Sequence, residues 1–288
     1  MLKKVLILSL SLLFVKSLAF TNPKDLKPIS FEMINGIIFV EAFLNGNAGT
    51  YIIDTGAPVL LLNNSMLNGK PVTVNSATGE QVITEMNIRS FNWAGLKKKN
   101  IKAWNIDLSH LEASFQKNID GVIGFDIIKD HKLIFDIVKS QVQVVIDLDD
   151  NLKIDLEQKR KLSFQISNER PYFNVKLGKK NYNFCLDTGA ETNILNHAMK
   201  KLLDTDQQIE IGKTKLISFN ATSKLELDKI LLKEIQLGKV NLRNSTFSIM
   251  DLDEINGHSA KRIDGIVGLL FFQSSTVILD YPNKKLYF

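Results

Sequence analysis

Two stretches of the chain decide its fold: Tyr51-Ile52-Ile53-Asp54-Thr55-Gly56-Ala57 and Phe184-Cys185-Leu186-Asp187-Thr188-Gly189-Ala190. In each, an aromatic-led apolar run has the pattern of a buried strand and ends at an aspartate that enters a glycine turn. A second apolar run then leads to an asparagine, Asn63 or Asn196. One Asp-Thr-Gly carries little information, because Asp and Gly are common in turns. Two copies in matching frames predict a paired site.

A second pair of matching segments closes each half of the chain. These are Ile119-Asp120-Gly121-Val122-Ile123-Gly124-Phe125 and Ile263-Asp264-Gly265-Ile266-Val267-Gly268-Leu269. Each half also has a predicted hairpin before its first motif, with turns at Asn45-Gly46-Asn47 and at Gly178-Lys179-Lys180-Asn181. So long a period with only two copies indicates duplicated domains, since solenoid repeats are shorter and more numerous.

The N-terminus has the three parts of a secretory signal: the basic start at Lys3 and Lys4, a short apolar core, and small residues up to Ala19. We expect cleavage after Ala19 and a secreted, periplasmic or extracellular protein. The alternative is an uncleaved membrane anchor, although the apolar core is shorter than the ~20 residues of a spanning helix. Loss of residues 1–19 removes three lysines and no acid, so the formal charge falls from +5 to +2.

Composition excludes several classes of function. With 44% hydrophobic residues in 288, the chain can bury a substantial core. It has no basic stripe interleaved with aromatic residues, which argues against nucleic-acid binding. The single cysteine, Cys185, rules out an intramolecular disulfide. The four histidines show no close-spaced ligand pattern, so neither a metal site nor a cofactor is predicted.

The Asp-Thr-Gly-Ala motifs, each followed by Gly-Val-Ile-Gly or Gly-Ile-Val-Gly and a closing apolar-Asp hairpin, resemble the aspartic proteases of the pepsin and retropepsin clan. The segment that begins at Gly124 is more similar to the retropepsin version. The resemblance implies an all-β fold: two homologous retropepsin-like acid-protease barrels in a bilobal, pepsin-like architecture with a few short helices. The domain prediction is a signal peptide (1–19), an N-terminal lobe (20–150), a linker (151–162) and a C-terminal lobe (163–288).

The resemblance makes Asp54 and Asp187 the catalytic pair. Two adjacent carboxyls cannot both ionise cheaply, so they share a proton and provide a base and an acid at once. The charged member would take a proton from water as it attacks a peptide carbonyl, and the protonated member would bind the forming oxyanion. Because the titration belongs to the pair, neither aspartate has a fixed role. The function predicted is a secreted aspartic endopeptidase that acts on an extended polypeptide, as a monomer whose lobes pair within one chain. Pairing of the lobes between two chains stays open as an alternative.

By the same resemblance, neighbouring residues support the loops. Thr55 and Thr188 would hydrogen-bond to the opposite loop, and the glycines would allow close approach of the backbone. The supporting glycines are Gly56, Gly189, Gly124 and Gly268. The alanines at 57 and 190 stand where pepsin-like members often have a hydroxyl residue, so we expect a pH optimum closer to neutrality than that of a gastric enzyme.

Two hairpins are predicted to cover the cleft as flaps. The first has its tip at Ala77, Thr78 and Gly79, and the second at Asn220, Ala221 and Thr222. A strand-like substrate could pair with flap backbone. A cleft lined by apolar flap and wall residues would favour apolar substrate side chains, although the sequence places no individual pocket residue.

Three further alternatives stay open at this point. Cys185 could be a nucleophile, but the aligned residue of the first half is Ile52, which favours a buried hydrophobic role. The fold could be retained without proteolysis, as a secreted module that binds peptide or glycan. Finally, an uncleaved N-terminus could tether the protein to a membrane. Asp120 and Asp264 are interpreted as strand-end hydrogen-bond acceptors.

Overall fold

The computed structural model describes residues 27–63, 70–76, 79–145, 156, 158–216, 225–257 and 259–288. The strands of the first half are β1 (Ile29–Ser30), β2 (Glu32–Ile34), β3 (Ile37–Leu44), β4 (Asn47–Ile53), β5 (Leu61–Asn63), β6 (Lys70–Ser76), β7 (Gly79–Trp93), β8 (Leu96–Ile106), β9 (Gly121–Ile123), β10 (Lys132–Asp136) and β11 (Gln141–Val145). Those of the second half are β12 (Lys161–Ser163), β13 (Gln165–Ser167), β14 (Arg170–Leu177), β15 (Lys180–Leu186), β16 (Ile194–Asn196), β17 (Gln208–Leu216), β18 (Leu225–Leu237), β19 (Val240–Met250), β20 (Gly265–Val267), β21 (Thr276–Asp280) and β22 (Lys285–Tyr287). The short helices are α1 (Ser109–Phe115), α2 (Phe125–Ile128), α3 (His197–Lys200), α4 (Asp253–Gly257) and a 3₁₀ helix, Leu269–Phe272.

Each half forms a closed barrel. In the first, the hydrogen-bonded order β3-β4-β9-β5-β8-β7 returns to β3 through the pairs Phe43–Asn92 and Leu44–Phe91. In the second, the order β14-β15-β20-β16-β19-β18 returns to β14 through Lys176–Gln236. The strand orders correspond element by element. The predicted all-β fold of two barrel lobes is therefore confirmed.

A third sheet joins the two lobes in the order β1-β11-β10-β21-β22-β12. Its centre is the antiparallel pair β10–β21, in which Ile134 lies opposite Ile278. At one end of this pair, Lys132 Nζ is 3.1 Å from Asp280 Oδ2, and both side chains are buried. β12 begins at Lys161, so the last residues of the predicted linker are part of this sheet and pair with β22.

The strands that carry the motifs are buried on both faces. Tyr51 and Ile53 of β4 point into a core that continues from one lobe to the other, whereas Ile52 packs into a separate cluster with Phe39 and Val122. Each apolar side chain of this size contributes roughly 1.5–3 kcal/mol when buried. This two-sided burial explains why the runs before the aspartates are apolar at every position instead of alternating.

The hairpin turn before Asp54 has the predicted chemistry. Asn45 and Gly46 both adopt positive φ, 50° and 93°. That is the geometry of a two-residue turn whose twist matches the strands it connects. β3 and β4 are thereby set in the register that pairs Phe39 with Ile52 and leaves Asp54 just beyond the strand end.

Candidate active site

The two aspartates occupy equivalent places, each one residue beyond a buried strand. Asp54 follows β4, and its backbone N–H donates to the carbonyl of Ile123 on β9, 3.1 Å away. Asp187 follows β15 and donates in the same way to Val267 on β20, 2.9 Å away. Parallel pairing with β9 and β20 thus delivers both carboxyls to the surface where the lobes meet.

The two loops are connected by four hydrogen bonds made by Thr55 and Thr188. Thr55 Oγ1 donates to the carbonyl of Leu186 at 2.9 Å and accepts from the N–H of Thr188 at 3.0 Å. Thr188 Oγ1 donates to the carbonyl of Ile53 at 2.7 Å and accepts from the N–H of Thr55 at 3.0 Å. Both threonines are fully buried. Each lobe's aspartate loop is therefore held by the other lobe.

The loop glycines are required by the close approach of the opposite carboxyl. A Cβ at Gly56 would lie 2.6 Å from Asp187 Oδ2, and a Cβ at Gly189 would lie 2.6 Å from Asp54 Cγ. Each glycine also donates its N–H to the carboxylate of its own loop: Gly56 to Asp54 Oδ1 at 2.6 Å and Gly189 to Asp187 Oδ1 at 2.9 Å. Any side chain at either position would push the two aspartates apart.

Gly124 and Gly268 lie against the backbone of the two loops. A Cβ at Gly124 would overlap the carbonyl oxygen of Val59, and one at Gly268 would be 2.8 Å from that of Ala190. These contacts are backbone to backbone, so an added methyl could be accommodated only by moving a loop. The structure brings all eight dyad and loop-support residues predicted from the sequence into one place.

The electrostatics of the dyad follow from burial. The pKa of Asp54 is raised well above its usual value, first by burial, then by the negative charge of Asp187 and by a hydrogen bond between the two carboxyls. The N–H of Gly56 and the Arg170 guanidinium act in the opposite direction. A buried carboxyl that resists ionisation, next to a second carboxyl, is suited to hold one proton between the two.

Arg170 is a site residue that our reading of the sequence missed. It starts β14, and its Nε donates to the carbonyl of Gly56 in the other lobe at 2.9 Å. The signal was present in the comparison of the halves, because the residue that corresponds to Arg170 in the first half is Ile37. A charged residue where the repeat has an apolar one could have been noticed.

The flap predictions are only partly within the described residues. β6 and β7 pair antiparallel up to Ser76–Gly79, and β17 and β18 pair up to Leu216–Leu225, so the arms of both hairpins are present. Gly79 is the first residue of β7. The other five residues predicted for the tips, Ala77, Thr78, Asn220, Ala221 and Thr222, lie outside the described residues.

A cavity of about 630 Å³ lies beside the Asp187 loop, lined by residues of the second lobe together with Asn35 and Gly36 of the first. Its lining includes Ala190, Gly268 and Leu270, but much of it is polar. Charged side chains in the lining are Glu191, Lys215 and Lys229. The expected preference for apolar substrate side chains depended on an apolar cleft lining; it stays a prediction, and the lining of this cavity is largely polar.

Asp120, Asp264 and Cys185 have structural roles. Asp120 Oδ2 accepts from the N–H of Thr50 at 2.7 Å, and Asp264 Oδ2 accepts from that of Asn183 at 2.9 Å, which confirms strand-end hydrogen bonding for both. Cys185 is buried, and burial raises the pKa of its thiol far above the physiological range. A neutral thiol is a poor nucleophile.

Two further findings concern only the part of the chain that the structure describes. It holds no group of three or more His, Cys, Asp or Glu side chains arranged to bind a metal ion. None of its helices is long and apolar enough to cross a membrane.

Comparison with known proteins points in the same direction as the geometry. Residues 173–271 match the model of a family described as aspartyl protease. The matched stretch runs from β14 to the 3₁₀ helix and includes Asp187, Thr188, Gly189 and Gly268. No curated protein matches the chain significantly. The match over this stretch supports a relationship of the protein to the aspartic protease family.

Proposed function

We propose that the protein is an aspartic endopeptidase in which Asp54 and Asp187 activate water between them. The observation that carries the proposal is the pairing of two carboxyls, one buried (Asp54) and one half-buried (Asp187), each held by its own loop's glycine N–H and packed against the opposite loop's glycine. This pairing gives one proton and one negative charge a common site. The family match adds support for protease chemistry in general.

The reaction would need no covalent intermediate. The ionised carboxyl would take a proton from a water between the aspartates while the water oxygen attacks the peptide carbonyl. The protonated carboxyl would donate to the carbonyl oxygen as it becomes negative, and the proton taken from water would pass to the leaving amine. Preorganisation comes from the threonine hydrogen bonds, because they fix the two loops before substrate arrives.

An extended polypeptide fits the site as substrate. The antiparallel arms β6–β7 and β17–β18 offer strand backbone on both sides, to which a peptide in an extended conformation could hydrogen-bond. The cavity beside the Asp187 loop is large enough for a side chain, and its polar lining favours a polar one.

The test is cleavage of an unbiased peptide mixture between pH 3 and 8 by the purified protein and three variants. We expect cutting by the wild type and by Asp136→Asn, whose carboxylate accepts from the N–H of Lys139 in a turn. Asp54→Asn and Asp187→Asn should each abolish cutting. Cleavage that persists in a dyad variant, or none by folded wild type, would overturn the proposal.

We further propose that the chain is exported, that residues 1–19 are removed, and that the protein acts as a monomer. The basic, apolar and small-residue parts of the N-terminus support export. The β10–β21 pairing within one chain supports the monomer. Intact mass of the exported protein should give Phe20 as its first residue, and a mass that begins at Met1 would contradict cleavage. Light scattering should give the mass of one chain.

A further inference from the structure

The two halves match in backbone but differ in polarity around the dyad. Asp54 and Asp187 are 133 residues apart, and the same spacing relates Ile37 to Arg170, Phe39 to Tyr172 and Ile52 to Cys185. The spacing is structural as well, since Phe39 pairs with Ile52 just as Tyr172 pairs with Cys185. The first lobe is thus apolar where the second carries a cation, a phenol and a thiol.

Arg170 is the member of this polar group that reaches across the lobe interface. Its Nε–H bond to the carbonyl of Gly56 ends on the residue whose N–H binds Asp54 Oδ1. A continuous path of hydrogen bonds therefore runs from β14 of the second lobe to the carboxyl of the first. The corresponding residue of the first half, Ile37, can make no such bond to the Asp187 loop.

The guanidinium also brings a permanent positive charge to the dyad. Arginine stays protonated throughout the working pH range of proteins. Among the described residues, no carboxylate forms an ion pair with Arg170 within 4.0 Å, so its charge is not neutralised at close range. Its interaction with Asp54 favours the ionised form of that carboxyl.

We propose that Arg170 is a positioning residue for the reaction: it fixes the Asp54 loop from the opposite lobe and stabilises the single negative charge of the dyad. The inference rests on the proposed function for its catalytic meaning. Its physical content, an effect of one cation on two carboxyls, can be measured without any substrate.

The other groups that face Arg170 do not obscure such a measurement. The titratable groups that interact with the guanidinium are Asp54, Asp187, Cys185 and Tyr172. Tyr281, after β21, is buried near the Cys185 thiol and the two carboxyls of the dyad. Lys261 lies over the ring of Tyr172, with its Nζ 5.7 Å from the ring centroid. Burial raises the pKa of the thiol and of both tyrosines, so they stay neutral below pH 9. Between pH 2 and 9, the dyad is the part of this group that changes its charge.

The variants separate charge from hydrogen bonding. Arg170→Gln removes the charge and keeps an N–H donor, and Arg170→Lys keeps the charge without the planar guanidinium. Arg170→Met serves as a second neutral variant should the Gln variant not fold. Lys261→Met is the matched control, because it removes one positive charge nearby from a side chain that binds Gln165 and not the aspartate loop.

The first measurement is a carboxyl ¹³C NMR titration of the dyad from pH 2 to 9. In Arg170→Gln, we expect the transitions to move to higher pH by about one unit, the lower end of the effect of a neighbouring opposite charge. Arg170→Lys and Lys261→Met should titrate like the wild type. An unchanged titration in the neutral variants, or one that only matches the Lys261→Met control, would overturn the inference, even if the variants unfold at a lower temperature.

The second measurement is the pH profile of kcat/KM on a peptide that the wild type cleaves. The acid limb should move upward in Arg170→Gln, with about tenfold lower activity at the acidic end for a shift of one unit. In Arg170→Lys, kcat should fall without a shift of the limb, because the loop is less firmly held. If the wild type cuts no peptide, the proposed function fails, and the NMR titration still decides the role of Arg170.

Discussion

Replacement of Thr188 by valine should weaken the lobe interface more than any exposed substitution of the same kind. Valine has the shape of threonine but no hydroxyl, so the variant loses the 2.7 Å bond to the carbonyl of Ile53 and the 3.0 Å bond from the N–H of Thr55. A buried polar group left without its partner costs about 1–3 kcal/mol. For two such groups, we expect the free energy of unfolding to fall by about 2–6 kcal/mol.

Denaturation in urea measures this loss, provided that two signals agree. The two tryptophans, Trp93 and Trp104, both lie in the first lobe, so their fluorescence reports on that lobe, whereas circular dichroism reports on the whole chain. Coincident transitions would justify a two-state treatment. Thr73→Val, at an exposed position of β6, is the control and should change stability by no more than about 0.5 kcal/mol.

The double variant Thr55→Val/Thr188→Val tests whether the four bonds act as a unit. Once one threonine is lost and the loops separate, the other has less to lose, so the combined effect should fall short of the sum by about 0.5–3 kcal/mol. A loss of less than about 1 kcal/mol in Thr188→Val would refute the reasoning, because it would mean that neither backbone group is left unsatisfied.

Three other predictions follow from the same structure. Asp54→Asn should be more stable than the wild type at neutral pH. The pKa of Asp54 is raised in the folded state, so the stability of the wild type falls as the pH rises from the unfolded-state pKa of about 4 through the folded-state pKa. The amide of asparagine does not ionise, so the variant does not lose this stability. Urea titrations at pH 3 and 7 should therefore show a gain only at pH 7, and an equal effect at both would contradict the linkage. Lys132→Met should lower stability by about 3–5 kcal/mol, since it leaves the Asp280 carboxylate buried without its cation, and adding Asp280→Asn should restore part of that loss. Lys229→Glu should lower kcat/KM about fivefold for peptides with an acidic side chain in the cavity beside the Asp187 loop, which is the upper range of the free energy of an exposed charge pair. The kcat/KM of peptides with a neutral residue there should change little. Equal effects on both kinds of peptide would argue against contact of the substrate with Lys229.

Much of the fold could be predicted because its determinants are local. The apolar run before Asp54, the Asn45-Gly46 turn and the repeated spacing each depend on residues close together in the chain, and the structure has the strand, the turn and the matched lobes there. The candidate site aspartates could be predicted for the same reason, since a strand that ends in Asp-Thr-Gly is a local pattern. The ends of strands were harder to predict from the sequence. The start of β12 lies within the predicted linker, and it is set by pairing with β22, which lies more than a hundred residues away in the chain.

The sequence by itself determined that the chain is duplicated, that each half is built of buried strands, and that each half presents an aspartate in a glycine turn. Only the tertiary structure decided what crosses between the halves: the threonine bonds, the Arg170 contact with Gly56, the buried pair of Lys132 and Asp280, and the polar cavity. The physical reason is that strand and turn formation depends on neighbouring residues, whereas the hydrogen bonds and the ion pair join groups more than a hundred residues apart in the chain. Their energies depend on distances and burial that exist only once both barrels have closed and met.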